Sequence, residues 1–246
     1  MRFPAELPGV PATLADVLAW RAELHPDRPY ITFLETGEVD GPQTTRTYRQ
    51  TWARARGIAA HLVDAGLQGQ PVLLLYPPGV PYIEAFLGCL LAGVVAVPAY
   101  PPDPTRLERT LPRLISVVTD SGARTALATG PIAQLAAGLG GPALADLDWI
   151  ATDTLGPGPL AGPRPAAGDL AFLQYTSGST GDPRGVMLTN GAIIANEAVI
   201  YEQAGAAGPG VGWLPPYHDM GLIGMILQPL FAGTHTVLLS PVDFLK

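Results

Sequence analysis

PVLLLYPPGVPYIEAFLGCLLAGVVAVPAY occupies Pro71 to Tyr100. PVLLLY is an aliphatic run with no polar alternation, the pattern of a strand buried on both faces. Pro77-Pro78-Gly79 breaks it as a turn, PYIEAFLGCLLAG reads as a helix closed by Gly93, and VVAVPAY is a second aliphatic strand. Apolar strands separated by helices imply parallel strands with both faces covered. The chain is therefore expected to be an α/β protein, with mostly parallel sheets flanked by helices.

The alternation continues outward. Upstream, TLADVLAWRAEL has Thr13 as N-cap with Asp16 three residues later, YITFL reads as a strand, and Thr47 and Gln50 have capping-box spacing. The second helix repeats Tyr48, Trp52, Ala55, Ile58, Ala59, Leu62 and Val63 at helical intervals, with Gly66 as its stop. Downstream, RTLPRLISVVTDSG, ARTALAT and PIAQLAAGL continue as helix, strand and helix. Residues 156–168, GPGPLAGPRPAAG, form a Pro/Gly-rich connector. Residues 1–155 are expected to form part of a first α/β subdomain and residues 169–246 part of a second. In the latter, DLAFLQY and VMLT read as strands around a loop and GAIIANEAVIYEQAG as a helix capped at Thr189 or Asn190. GWLPPYHD, GLIGMILQPLFAG and TVLLS follow as strand, helix and strand.

Composition narrows the function classes. The chain has 246 residues, 48% hydrophobic and 14% charged, which argues for a packed core and against disorder. A net charge of −7 without a basic block argues against a nucleic-acid partner. Single Cys89 excludes an internal disulfide framework and a Cys-based zinc site, and reads as a buried small hydrophobe in a reducing compartment. The longest apolar run, Ala85 to Val97, has thirteen residues, too few to span a bilayer. MRFPAELPGV shows no apolar signal region, so the cytoplasm is the expected location.

Serine is scarce, five in all, yet two fall in QYTSGSTGDPRG, Gln174 to Gly185. Thr176, Ser177, Gly178, Ser179, Thr180 and Gly181 combine hydroxyls, unobstructed glycines and a row of amides that can curl around an anion. Arg184 can add a bidentate contact. Gly178 lacks the following Gly-Lys-Ser/Thr of a Walker A loop, and a strand stands where a dinucleotide fingerprint or nucleophile elbow needs a helix. His218 and Asp219 are adjacent, a poor arrangement for a hydrolase triad. On composition alone, the loop reads equally as a phosphate nest or as a polar surface turn.

Taken whole, YTSGSTGDPRGVMLTN resembles the phosphate-loop signature of adenylate-forming ligases: acyl- and aryl-CoA synthetases, peptide-synthetase adenylation domains and luciferases. GWLPPYHDMGLIGMILQPLFAGTHTVLLSPVDFL and LLLYPPGVPYIEAFLGCLLAGVVAVPAYPPDP resemble the fatty acyl-AMP ligase branch, and the likeness runs from about Leu14 to Leu245. It implies that residues 176–181 hold the β- and γ-phosphates of ATP. Arg184 stands where the family usually has Lys. It also implies that Trp213, Tyr217, His218, Asp219, Met220 and Gly221 lie beside the acyl pocket, with His218 near the substrate carboxylate. Ile223, Met225, Ile226 and Leu227 would line an acyl tunnel, although each reads as readily as ordinary core, as does a lone histidine.

The implied reaction is attack of a fatty acid carboxylate on the α-phosphorus of ATP, expelling pyrophosphate. It uses Mg²⁺ and is followed by acyl transfer to an acyl carrier protein or a polyketide or peptide synthetase module. No metal-binding residues are identified in this stretch. The family's later acidic motif, ribose-binding Asp and C-terminal domain with its Lys find no match, since the one Lys is Lys246. The resemblance thus implies the N-terminal portion of a ligase, adenylating weakly or not at all by itself. A fatty acyl-CoA ligase and a non-catalytic nucleotide- or acyl-binding module are the alternatives.

Overall fold

In a computed structural model, the chain is described over residues 1–101, 107–139, 144–159, 162–177, 183–205 and 208–246. The segment from Pro71 to Tyr100 folds as expected: β3 (Pro71–Leu75), α3 (Val80–Ala92) and β4 (Val95–Ala99), with β3 and β4 parallel. Gly93 closes α3 at φ 69°, where a side chain would be strained. Two further pairs of elements precede this unit. α1 (Leu14–Leu24) and α2 (Tyr48–Asp64) each begin with a reciprocal capping box, Thr13 with Asp16 and Thr47 with Gln50. β1 (Pro29–Leu34) and β2 (Gln43–Thr47) pair antiparallel.

After β4 come α4 (Leu107–Ser121), β5 (Thr125–Ala128), α5 (Gly130–Leu139), β6 (Asp148–Ala151), β7 (Leu170–Ser177), β8 (Pro183–Thr189) and α6 (Asn190–Ala204). β9 (Gly210–Gly212), a π-helical stretch at Met220–Leu227, α7 (Gln228–Ala232), β10 (Thr236–Leu239) and α8 (Pro241–Phe244) follow. The described strands form a four-stranded sheet, β2-β1-β10-β9, and a six-stranded sheet, β6-β5-β3-β4-β7-β8. All neighbours are parallel except β1–β2 and β7–β8. Each sheet takes strands from both sides of residues 156–168.

Alternation along the central strands explains the layers. Val72 and Leu74 enter the core between the sheets, while Leu73 and Leu75 face α4 and α5 on the other side. Between the sheets, α3 is buried all round except at Pro81, which is why its sequence shows no polar face. Its Gly88 lets α2 approach, since a Cβ there would meet Ile58 at 2.8 Å and the Ala55 carbonyl at 3.2 Å.

Two expectations change near residue 215. The strand expected over GWLPPYHD ends at Gly212, because Pro215 and Pro216 have no amide to extend a ladder. The helix expected over GLIGMILQPLFAG is π-helical to Leu227 and α-helical only from Gln228, with Pro229 in the first turn of the α segment. No helix among the described residues is long and apolar enough to cross a membrane.

Candidate active site

The serine-rich stretch is built into a hairpin. β7 and β8 pair Tyr175 with Gly185, Thr176 with Arg184 and Ser177 with Pro183. Residues 178–182 therefore join the strand ends beyond the carboxyl end of β7, the edge where α/β sheets bind ligands. Gly178, Ser179, Thr180 and Gly181 lie outside the described residues. Thr176 and Arg184 are both exposed and directly opposite, so their side chains share one face of the hairpin.

The second motif is brought to the same place. Gln174 Nε2, buried on β7, donates to the Tyr217 carbonyl at 2.5 Å. Tyr217 Oη donates to the Tyr76 carbonyl, and Tyr82 Oη donates to the Pro216 carbonyl at 2.9 Å. These bonds fix the bend that carries His218. Gly221 is needed there, since a Cβ would stand 2.1 Å from the Pro215 carbonyl oxygen. Tyr100, just past β4, packs on Tyr217 with ring centroids 4.5 Å apart and on His218 at 5.7 Å.

A cavity of about 420 Å³ opens between these groups and α4. Ala99, Leu114, Val117, Tyr175 and Tyr217 give it apolar walls, and Tyr100, Thr110, Arg113 and His218 its polar ones. Among the described residues no carboxylate lines it, and Arg113 and His218 are the described lining groups able to carry positive charge. Neither has a side-chain hydrogen bond or ion pair among the described residues. Burial pushes the Tyr217 phenol well above its ordinary range. It raises Tyr100 too, against the opposing pull of Arg113. Both phenols thus stay protonated, and Tyr217 spends its proton on the Tyr76 carbonyl.

The structure separates the remaining expected residues. Trp213 stacks on Phe244, centroids 3.9 Å apart and planes 6° apart. Asp219 is exposed and caps the π-helical stretch, its carboxylate accepting from the Met220 amide at 2.8 Å. Met220 faces solvent. Ile223 and Met225 pack partly buried against the inner core, while Ile226 and Leu227 lie within it. None of these lines the cavity, and neither does Gly221. Conversely, sequence reasoning missed Thr110, Arg113, Leu114 and Val117, whose α4 pattern is that of any amphipathic helix. Another cleft, about 370 Å³ between α1, α2 and residues 159–165, receives no residue from either motif.

Comparison with known proteins supports the fold and gives the family. The family model of AMP-binding enzymes matches residues 18–246. The chain is 37% identical over 242 residues to the medium-chain-fatty-acid–[acyl-carrier-protein] ligase JamA of Moorena producens, covering 95% of this chain and 40% of that one. It is 36% identical to the long-chain-fatty-acid–AMP ligase FadD26 of Mycobacterium marinum, covering 98% and 43%. Among solved structures, a fatty acyl-adenylate ligase from L. pneumophila, in complex with acyl adenylate and pyrophosphate, superposes with a TM-score of 0.83. It is 36% identical, with 96% of this chain and 41% of that one covered. The chain thus spans about two-fifths of the length of these relatives.

Proposed function

We infer the function from one premise: this chain belongs to the AMP-binding enzyme family. Its role is that of the nucleotide- and acyl-binding part of an ATP-dependent fatty-acid-adenylating ligase. A fatty acid carboxylate attacks the α-phosphorus of ATP, forming the acyl-adenylate and releasing pyrophosphate. The acyl group then passes to an acyl carrier protein or to a polyketide or peptide synthetase module in the cytoplasm. The fatty-acid ligases to which the chain is similar support this substrate class.

One observation carries the reading. The Gln174–Tyr217 hydrogen bond ties β7 to the bend that holds His218, and Tyr175, which directly precedes the hydroxyl-rich stretch, lines the cavity together with Tyr217 and His218. The tip, from Thr176 to Gly181, takes the β- and γ-phosphates on its amides and hydroxyls, and Arg184 approaches from the opposite strand. Two anions must meet, and a cavity whose described lining has no carboxylate and includes Arg113, His218 and the Tyr100 phenol lowers their repulsion. Its aromatic walls exclude water from the mixed anhydride. Among the described residues, no group of three or more His, Cys, Asp or Glu side chains is placed to hold a metal ion.

Calorimetric titration with a hydrolysis-resistant acyl-adenylate analogue tests the proposal. The chain is expected to bind it saturably, and His218→Ala to weaken it about tenfold, roughly 1.4 kcal/mol. Ser179→Ala with Thr180→Ala should weaken ATP itself. Absence of binding by the unaltered chain overturns the reading.

A further inference from the structure

β7 registers with β4 at Ala96–Phe172, and beyond that point the hairpin's ladder among the described residues is with itself. Its outer half, from Leu173 to Ser177 and Pro183 to Met187, runs on beside β4 without a further registered bridge among the described residues, so side-chain ties help to fix its angle. Consecutive strand residues point to opposite faces. Two of them are tied down: Gln174 on the inner face to the Tyr217 carbonyl, and Tyr175 on the outer face to Asp120 near the end of α4, Oη to Oδ2 at 2.6 Å. To reach α4, the Tyr175 ring crosses its cross-strand partner Gly185. A Cβ there would lie 3.0 Å from Cζ and 3.2 Å from Oη. Glycine opposite an aromatic ring is a means of seating that ring on the neighbouring strand.

We propose that Tyr175 is a positioning residue, clamped by Asp120 and seated on Gly185, that sets the angle of the β7–β8 hairpin and with it the approach of Thr176 and Arg184 to the nucleotide. The role rests on the adenylating function proposed above. Tyr175 touches neither phosphate nor acyl group through its hydroxyl, which is spent on Asp120. It acts through Thr176 and Ser177, the next residues of the same strand. Burial, reinforced by the adjacent Asp120, keeps the phenol protonated and so a donor. A carboxylate acceptor makes this one of the stronger kinds of hydrogen bond.

Four variants of the full chain test the clamp: Tyr175→Phe, Asp120→Ala, Asp120→Asn and the double Tyr175→Phe/Asp120→Ala. Tyr175→Phe and Asp120→Ala are each expected to weaken ATP about fivefold to tenfold, less than the full worth of one charge-assisted hydrogen bond because the bond acts on the ligand only through the hairpin's angle. Asp120→Asn retains an acceptor oxygen and should stay within about twofold of the unaltered chain. The double variant should be no weaker than either single one, because both remove the same bond. A merely structural contribution would lower Tm without this pattern of loss and rescue. Hydrogen exchange reads the tether without any ligand: amides of residues 174–176 and 184–186 should exchange faster in Tyr175→Phe, and unchanged exchange overturns the tether. If the unaltered chain binds ATP and Tyr175→Phe binds it equally, the positioning role fails. If the unaltered chain binds neither ATP nor the analogue, the adenylating function fails instead.

Discussion

The two faces of the six-stranded sheet are covered differently. On the inner face, Val72, Leu74, Ala96 and Phe172 meet α2 and α3 in a continuous core that runs to the second sheet. There Phe86 packs against Phe172 and Tyr82, ring centroids 5.4 and 6.1 Å away. On the outer face, Leu73, Leu75 and Val97 meet α4 and α5, but α4 stands away from the carboxyl ends of β4 and β7 and leaves the 420 Å³ cavity. The inner face shows what close packing does when every position is surrounded. The outer face shows where a binding site is placed: at strand ends, where a helix need not follow the sheet to its edge.

Substitutions can break or sharpen this contrast. The largest effect is expected inside. Phe86→Ala, at a fully buried site, should cost about 3–5 kcal/mol in urea unfolding, since neighbouring elements on all sides prevent collapse of the void. A cost below about 1 kcal/mol would show that the inner face is looser than its contacts imply.

Next comes a polar group sealed in the same core. Glu197 on α6 is 0% exposed, and burial pushes its carboxyl up to about 8. Its Oε1 has no partner, while the Gln228 amide, turned to donate, reaches Oε2 and the Glu197 carbonyl at 3.3 Å. A carboxyl raised in the folded state is protonated there while the unfolded chain has already lost its proton. Its contribution is complete below about pH 4.5 and is lost as pH rises toward 8. That loss is on the order of a few kcal/mol. Glu197→Gln should flatten stability between pH 5 and 8, measured as urea midpoints at each pH; an unchanged slope would assign the titration elsewhere.

On the outer face, Leu114→Ala removes atoms that already border open space. Its cost should be about 1–2 kcal/mol, at or below the lower end for a buried leucine. A loss as large as that of Phe86→Ala would mean the cavity wall is as tightly held as the inner core. Smallest of all, His218→Ala should change unfolding free energy by no more than about 0.5 kcal/mol while weakening ligand, because its imidazole is exposed and held only by the edge of Tyr100. Loss of fold in that variant would make His218 a packing residue.

The strands that sequence reading missed share a cause. β2 and β6 both stand at sheet edges, and their sequences QTTRT and DWIA are short or polar. An edge strand needs no continuous aliphatic run, so periodicity gives no sign of it. The central strands carried that sign because both their faces are buried. The site divides the same way. Tyr217 and His218 were legible within a motif, and Thr176 and Arg184 within another. The α4 wall was not, since Leu114 and Val117 read as core and Arg113 as solvent face.

By itself the sequence determined what three or four neighbouring residues can decide. It specified the capping boxes at Thr13 and Thr47, the left-handed stop at Gly93 and the parallel unit around α3. Only the tertiary structure decided that Gln174 would hold Tyr217, that Tyr175 would cross Gly185 to reach Asp120, and that each sheet would draw on both halves of the chain. Those contacts join residues 43 and 55 positions apart. No local propensity encodes them, because they exist only once packing around α3 has brought distant segments to one edge of the sheet.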